Sequence, residues 1–390
     1  MERARARLWQ LVRAPEVRYS VLLLVITRVI LAAGAYLVTK LITPHLASST
    51  PHLECLAIKP GFSSHAFLNL WGNFDTAWYI KIASDGYAAT VAGAEGARWA
   101  FFPLYPLLMH WLAPVFAGST YFAGLAIANL CLLGSCIVLY RLVRLDASED
   151  VAKRAVKYFV LLPTSFLLSA ALTESLFVFL AILALYLGRT NRWWLAAVAT
   201  FLLALTRTTG IVILLPLAIM YARHIDLNWR RVRLNVSSLA APIAGVAVFA
   251  VYCYARTGDA LAFAHVGVTF WHHKFAEPFG ILFSGLMSPN VGSRLQAAVT
   301  VLNLGLLVAF IRRIRIEYWL FAVIILLFSV AIGNSMHSML RYIVVAFPTA
   351  LILALISGRK SVDEVLTIGL ALTQAFLMVL WASCWLFVIV

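Results

Sequence analysis

The chain has 390 residues, 63% hydrophobic and only 12% charged, yet it carries a formal net charge of +15. Soluble domains are about a quarter charged, so this composition excludes a soluble enzyme and a disordered chain alike. The five cysteines (Cys55, Cys131, Cys136, Cys253, Cys384) lie far apart or in apolar runs without CxxC or CxxH spacing, so they read as buried membrane residues, not a zinc site or disulfide framework.

A membrane helix needs about 20 mostly apolar residues. Runs that meet or approach this length predict spans at 20–43, 120–143, 155–172, 174–188, 193–206, 209–222, 236–255, 293–311, 317–333, 341–357 and 365–388. The expected fold is all-α, a single integral membrane domain over 1–390 with about eleven transmembrane helices. The first run is long and no small-residue cleavage site follows it, so it reads as an anchor.

Lys and Arg gather on cytoplasmic loops. With Arg3, Arg5, Arg7, Arg13 and Arg18 inside and every run crossing once, the inner connections hold Arg141, Arg144, Lys153, Arg154, Lys157, Arg189 and Arg192. Arg223, Arg230, Arg231, Arg233, Arg312, Arg313, Arg315, Arg359 and Lys360 follow on the same side. About two-thirds of the basic residues thus share one face. The net charge reports sidedness and contact with anionic lipid, not a nucleic-acid surface.

The segment 101–118 (FFPLYPLLMHWLAPVFAG) breaks the pattern. A full crossing there would invert every later loop, and Pro103, Pro106 and Pro114 interrupt a helix. It reads as a re-entrant or interfacial piece. Two long outer loops result, 44–119 and 256–292, with short outer turns at 172–174, 206–209 and 333–341.

In the first loop, apolar residues at 67, 68, 71, 74, 78, 79 and 82 have helical spacing and predict an amphipathic surface helix. Asp75 stands among Trp71, Phe74, Trp78 and Tyr79, where a carboxylate is costly to desolvate without a partner or a task. A helix cap or a solvated position is the plain alternative. Phe101-Phe102-Pro103-Leu104-Tyr105-Pro106 reads as a rigid aromatic anchor, compatible with the wall of a lipid-facing groove.

Glu174, Arg207 and Arg341 fall at outer ends of apolar runs, where charges face a cavity or a partner. A structural Glu174–Arg207 ion pair is one such arrangement. Arg28, inside the first run, is expected to snorkel inward. The second loop carries Asp259, His265, His272, His273, Lys274 and Glu277. Adjacent histidines point to different sides of a helix and no HExxH pattern occurs, so a metal site is not expected.

Six blocks, FDTAWYIKIASDGY (74–87), FFPLYPLL (101–108), PTSFLLSAALTESLFVF (163–179), LALTRTTGIVILLPL (203–217), GDALAFAHV (258–266) and LRYIVVAFPTALILA (340–354), occur in an order that resembles the GPI mannosyltransferase 2 (PIG-V-like) family. The resemblance covers about residues 70–355 and departs from the family pattern in two places. The usual Arg-Trp-Asp is here Asn73-Phe74-Asp75, and the usual Tyr before Thr-Glu-Ser is Leu172. It implies a polytopic glycosyltransferase of the GT-C class, shorter than eukaryotic members and thus a prokaryotic relative.

Such enzymes move a sugar from a polyprenyl-phosphate carrier, of the dolichyl-phosphate-mannose type, on the non-cytoplasmic face with inversion. The acceptor, a lipid or glycan, is not carried over, because prokaryotes generally lack GPI anchors. On this reading Asp75 is the base that takes the acceptor proton, while Arg341 and Arg207 neutralise the donor phosphate. His265 and Lys274 are further phosphate candidates; Glu174, Trp78 and Tyr79 position the site. Phe101, Phe102, Pro103 and Tyr105 would line the lipid or acceptor groove.

No cofactor is required, since Arg can neutralise a monoester phosphate; a divalent metal is left open, as is a small membrane partner subunit. The expected location is a bacterial or archaeal plasma membrane, or the endoplasmic reticulum in a eukaryote. The rival readings are a sugar-lipid transporter, against which no inverted repeat is seen, and a non-catalytic scaffold.

Overall fold

The computed structural model describes residues 14–41, 62–64, 66–272, 275–333, 336 and 338–383. Among these residues there are helices and no strands. In chain order the main helices are α1 (Pro15–Leu41), α2 (Thr76–Asp85), α3 (Leu104–Leu112), α4 (Thr120–Arg144), α5 (Glu149–Leu161), α6 (Glu174–Arg189), α7 (Trp193–Ala204) and α8 (Leu214–His224). They continue with α9 (Ala241–Thr257), α10 (Ala262–Thr269), α11 (Pro278–Leu286), α12 (Val291–Ala309), α13 (Ile316–Gly333), α14 (Met339–Val345), α15 (Pro348–Ile356) and α16 (Lys360–Ala382).

Local chemistry sets many of these boundaries. Ser119, Ser148 and Asn290 accept backbone hydrogen bonds at the starts of α4, α5 and α12, which satisfies donors that a first turn leaves unpaired. Glu277 does the same for α11 ahead of Pro278, and α9 ends at Gly258 in the left-handed conformation (φ 76°).

Among the described residues, five helical segments are long and apolar enough to cross a membrane: Pro15–Val38, Thr120–Arg144, Leu234–Thr257, Val291–Ala309 and Lys360–Ala382. Two bent pairs raise the number to seven if each is one span: Gly93–Ala100 with Leu104–Phe116, at 99°, and Met339–Val345 with Pro348–Ile356, at 68°. The chain is thus a helical protein fitted to a membrane by several long apolar helices.

The predicted runs 155–172, 174–188, 193–206 and 209–222 are not helices of spanning length. Their helices α5, α6, α7 and α8 have 13, 16, 12 and 11 residues. Hydropathy does not separate a lipid-facing helix from one inside the bundle, because both are apolar. The α6 helix is buried on almost every side and packs against α4 and α7. By contrast, α1 leaves Leu22, Val25, Ile26, Val29 and Ile30 exposed.

Between α5 and α6 the chain runs irregularly through the interior, from Leu162 to Thr173. Buried carbonyls there need donors. Arg28 does not snorkel away: its guanidinium donates to Ser169 Oγ (2.9 Å) and to the Ser165 carbonyl (2.9 Å). Gln374 donates to the carbonyls of Val160 and Leu162, both at 2.9 Å, and Asn129 to that of Ser169. Arg28→Met removes two of these donors and is expected to destabilise the protein by about 2 kcal/mol, read as a lowered melting temperature in detergent. Arg28→Lys should lose less.

Charges from four predicted inner connections meet at one end of the bundle. Asp146 pairs with Arg189 (2.5 Å) and Arg315 (3.7 Å). Buried Glu317 pairs with Arg223 (3.0 Å) and Arg315 (3.3 Å). Arg189 and Glu174 are the two ends of α6, about 22 Å apart at the helical rise. The charges around Glu174 therefore sit at the opposite end.

Candidate functional site

Part of the first outer loop is helical, as its spacing predicts. It breaks at Asn73–Asp75, between a short turn at Ala66–Asn69 and α2. Phe74 has φ +52°, an unfavourable conformation for an aromatic residue that packing must maintain. Its ring lies 5.3 Å from that of Trp381. The Thr76 hydroxyl donates to the Asn73 carbonyl (2.7 Å), and the Asn73 amide nitrogen Nδ2 donates to the Trp381 carbonyl (3.2 Å). The Ala171 N–H donates to the Trp71 carbonyl (2.9 Å), joining this loop to the irregular segment before α6.

That framework fixes Asp75 immediately before α2, where its side chain makes no capping hydrogen bond. It accepts instead from Arg341 Nη2 at 2.7 Å, with its side chain still 23% exposed. Arg341, on α14, is held from both sides. Gln296 accepts from the Met339 N–H (2.7 Å), and the Thr164 hydroxyl donates to the Leu340 carbonyl (2.8 Å).

Glu174, the first residue of α6, is fully buried and joins the two arginines. Its Oε1 accepts from Arg341 Nε (2.8 Å) and Arg207 Nη1 (2.9 Å), and Arg341 Nη2 lies 2.6 Å away as an ion pair. Arg207 Nη2 donates to the Tyr342 hydroxyl (3.0 Å), and its guanidinium lies 4.8 Å from the centre of that ring. Gly210 permits the turn behind Arg207, because a Cβ there would meet the Leu203 carbonyl oxygen at 2.6 Å.

The result is a chain of alternating charge, Asp75–Arg341–Glu174–Arg207, with two carboxylates opposing two guanidiniums. Arg207 is 17% exposed and Arg341 only 5%, so Arg207 offers the more accessible cation. Glu174 Oε2 and Thr173 Oγ1 are buried without a hydrogen-bond partner among the described residues.

An aromatic wall adjoins this chain. Tyr79, one turn into α2 and 4% exposed, is within electrostatic reach of all four charges. Its ring meets Phe101 at 5.3 Å and Tyr105 at 5.2 Å. Trp78 stacks with Phe101 at 6.0 Å and meets Trp271 and Phe270 edge-on at 6.2 and 6.3 Å. The second outer loop thus closes against the first through Phe270 and Trp271. Spacing along the chain gives no sign of Phe270 and Trp271 here, and Tyr342 is signalled only by its adjacency to Arg341.

The other candidates separate. Phe102 faces away from Phe101 into a satellite core, with ring centres 4.7 Å from Phe249 and 5.3 Å from Phe263. Tyr105 is fully buried and donates to the Gly124 carbonyl (3.0 Å), while Pro103 directly precedes α3. His265 is exposed and bonds Asp259 at 2.6 Å, not the charged chain. That bond holds the Asp259 carboxyl below its usual pKa range. Lys274 and His273 lie outside the described residues. Among the described residues no three His, Cys, Asp or Glu side chains converge as a metal site.

Chemically, the arrangement offers an accessible carboxylate oriented by a guanidinium, a second and more accessible guanidinium nearby, and a desolvating aromatic flank. Comparison with models of known protein families and with characterised proteins returns no match.

Proposed function

We propose that the chain is an inverting glycosyltransferase of the GT-C class, similar to the GPI mannosyltransferase 2 (PIG-V-like) family. It would move a hexose, mannose on the family resemblance, from a polyprenyl-phosphate donor to a hydroxyl of a lipid-linked or glycan acceptor. The observation that carries this reading is the Asp75–Arg341 pair, a carboxylate that is oriented yet exposed beside a second, accessible guanidinium.

In the reaction, Asp75 takes the proton of the acceptor hydroxyl as its oxygen attacks the anomeric carbon. The bond from that carbon to the phosphate oxygen breaks with inversion, and polyprenyl phosphate leaves with the bonding electron pair. Arg207 meets the growing phosphate charge with its planar donor fork. Arg341 holds Asp75 in position, and Glu174 orients both guanidiniums. Trp78, Tyr79, Phe101 and Trp271 keep bulk water from the reacting centre. His265, bound to Asp259 apart from the charged chain, is given no part in the central step.

On this reading the short helices α5 to α8 complete the crossings between the long ones, toward about eleven in all. The N-terminus is cytoplasmic and the charged chain faces the outside of a bacterial or archaeal plasma membrane.

The test incubates the purified protein with labelled polyprenyl-phosphate mannose and a membrane extract. Label appearing on a new acceptor is the expected result. Donor that crosses the bilayer without any new product would assign a transporter instead.

A further inference from the structure

At the basic end of the bundle, away from the charged chain, a cavity of about 320 Å³ is lined by Asp150, Lys153, Arg154, Ser357, Gly358, Lys360 and Asp363. It opens where the start of α5, the turn after α15 and the start of α16 converge. Most of its charges already have partners. Asp363 accepts from Lys157 (2.7 Å) and Tyr158 (2.6 Å). Lys153 pairs with Glu149 (2.8 Å) and Lys360 with Glu364 (3.8 Å). Asp150 stands in the lining as the opposing charge.

Arg154 differs from these. Its Nε donates to the Ala354 carbonyl (3.1 Å), and among the described residues it has no carboxylate at ion-pair distance. Its terminal nitrogens have no hydrogen-bond partner among the described residues, and the lining carboxylate within its electrostatic reach, Asp363, is already bound by Lys157 and Tyr158. A planar fork of this kind suits two oxygens of one phosphate, with the ammonium groups of Lys153 and Lys360 at its flanks.

The membrane-facing side of α16 begins at the same place. Val365, Ile368, Leu372 and Phe376 are all more than half exposed and lie on one face. Gly369 leaves a dent between them, where a Cβ would meet nothing within 4 Å. From Val365 to Phe376 the stripe rises about 17 Å, close to the half-thickness of a hydrocarbon core of about 30 Å. A phosphate-binding cavity above one leaflet's depth of apolar helix surface matches an amphiphile rather than a free anion.

We infer that this cavity and the exposed face of α16 together bind an anionic phospholipid, with its phosphate on Arg154 and an acyl chain along Val365–Phe376. The inference does not depend on the glycosyltransferase reading. The ligand is a structural lipid, and no bond is made or broken.

The test measures the melting temperature of the full-length protein in detergent as phosphatidylglycerol, phosphatidylcholine or inorganic phosphate is added. Phosphatidylglycerol alone should raise it, since a ligand of the folded state stabilises by mass action. Arg154→Gln should raise the half-saturating concentration at least tenfold, and Arg154→Lys should raise it less. If Arg154→Gln folds poorly, the Lys153→Gln/Lys360→Gln pair, on more exposed side chains, should weaken the response in the same direction. An undiminished response in these variants, or an equal response to phosphatidylcholine, overturns the site. Equal stabilisation by inorganic phosphate overturns the lipid assignment in favour of a free anion.

Discussion

Asp75→Asn is expected to lower sugar transfer by about 10³-fold or more, while the protein still inserts, folds and binds donor. Asparagine keeps the shape of the side chain and an oxygen able to accept from Arg341 Nη2, now at 2.7 Å from the carboxylate. Arg341 also retains two contacts to Glu174. The substitution therefore removes proton acceptance with little loss of packing. The turnover number should fall while the Michaelis constant for donor changes little.

Asp75→Glu should fall between the two, because moving the carboxylate by about 1 Å misaligns it without abolishing its basicity. Arg207→Ala should lower turnover as well and, unlike Asp75→Asn, also weaken donor binding, because its guanidinium meets the phosphate both when the donor binds and as the leaving charge grows. Transfer by Asp75→Asn within tenfold of the parent protein would remove Asp75 from the base role, whatever the fate of the arginines.

The four charged residues stood out in the sequence because each interrupts apolar surroundings, where an ionised group needs a reason to be present. Their assembly into one alternating chain did not. It depends on α14 and the start of α6 meeting across 167 positions, and spacing carries no such information. Pro103 falls at the 99° bend between Gly93–Ala100 and Leu104–Phe116, whereas Pro106 and Pro114 lie inside the helical piece that follows and do not break it.

Helical spacing across 67–82 places a helix in this loop, and α2 is one, but it gives no sign of the turn at Phe74, because a positive φ in an aromatic residue has no sequence signature. The neighbours Phe101 and Phe102 read alike as a groove wall. The fold sends one to Trp78 and Tyr79 and the other to Phe249. Span count was the weakest inference. A core helix such as α6 is as apolar as a lipid-facing one, and only packing tells them apart.

Glu174→Gln is expected to cost about 3–5 kcal/mol of stability, the largest effect of any single change in the site. Glu174 is fully buried, and one of its oxygens accepts two hydrogen bonds and makes a further ion-pair contact with two guanidiniums. Glutamine can still accept through one oxygen, but it leaves two largely buried cations facing Asp75 as their single counter-charge. Loss of a buried partner is severe because the remaining charge keeps its desolvation cost and loses its compensation.

The same logic predicts a partial rescue. Glu174→Gln/Arg207→Gln removes one charge of each sign, so its melting temperature should lie above that of Glu174→Gln alone. In a double-mutant cycle the two changes should couple by about 1–3 kcal/mol. Additive effects would mean that the ion pair contributes little and that Glu174 acts through packing. Rescue of stability need not rescue transfer. The double variant keeps Asp75 and Arg341 but lacks the accessible guanidinium, so it should fold and still fail to neutralise the leaving phosphate. Folding without transfer would separate the structural work of Glu174 from the chemical work of Arg207.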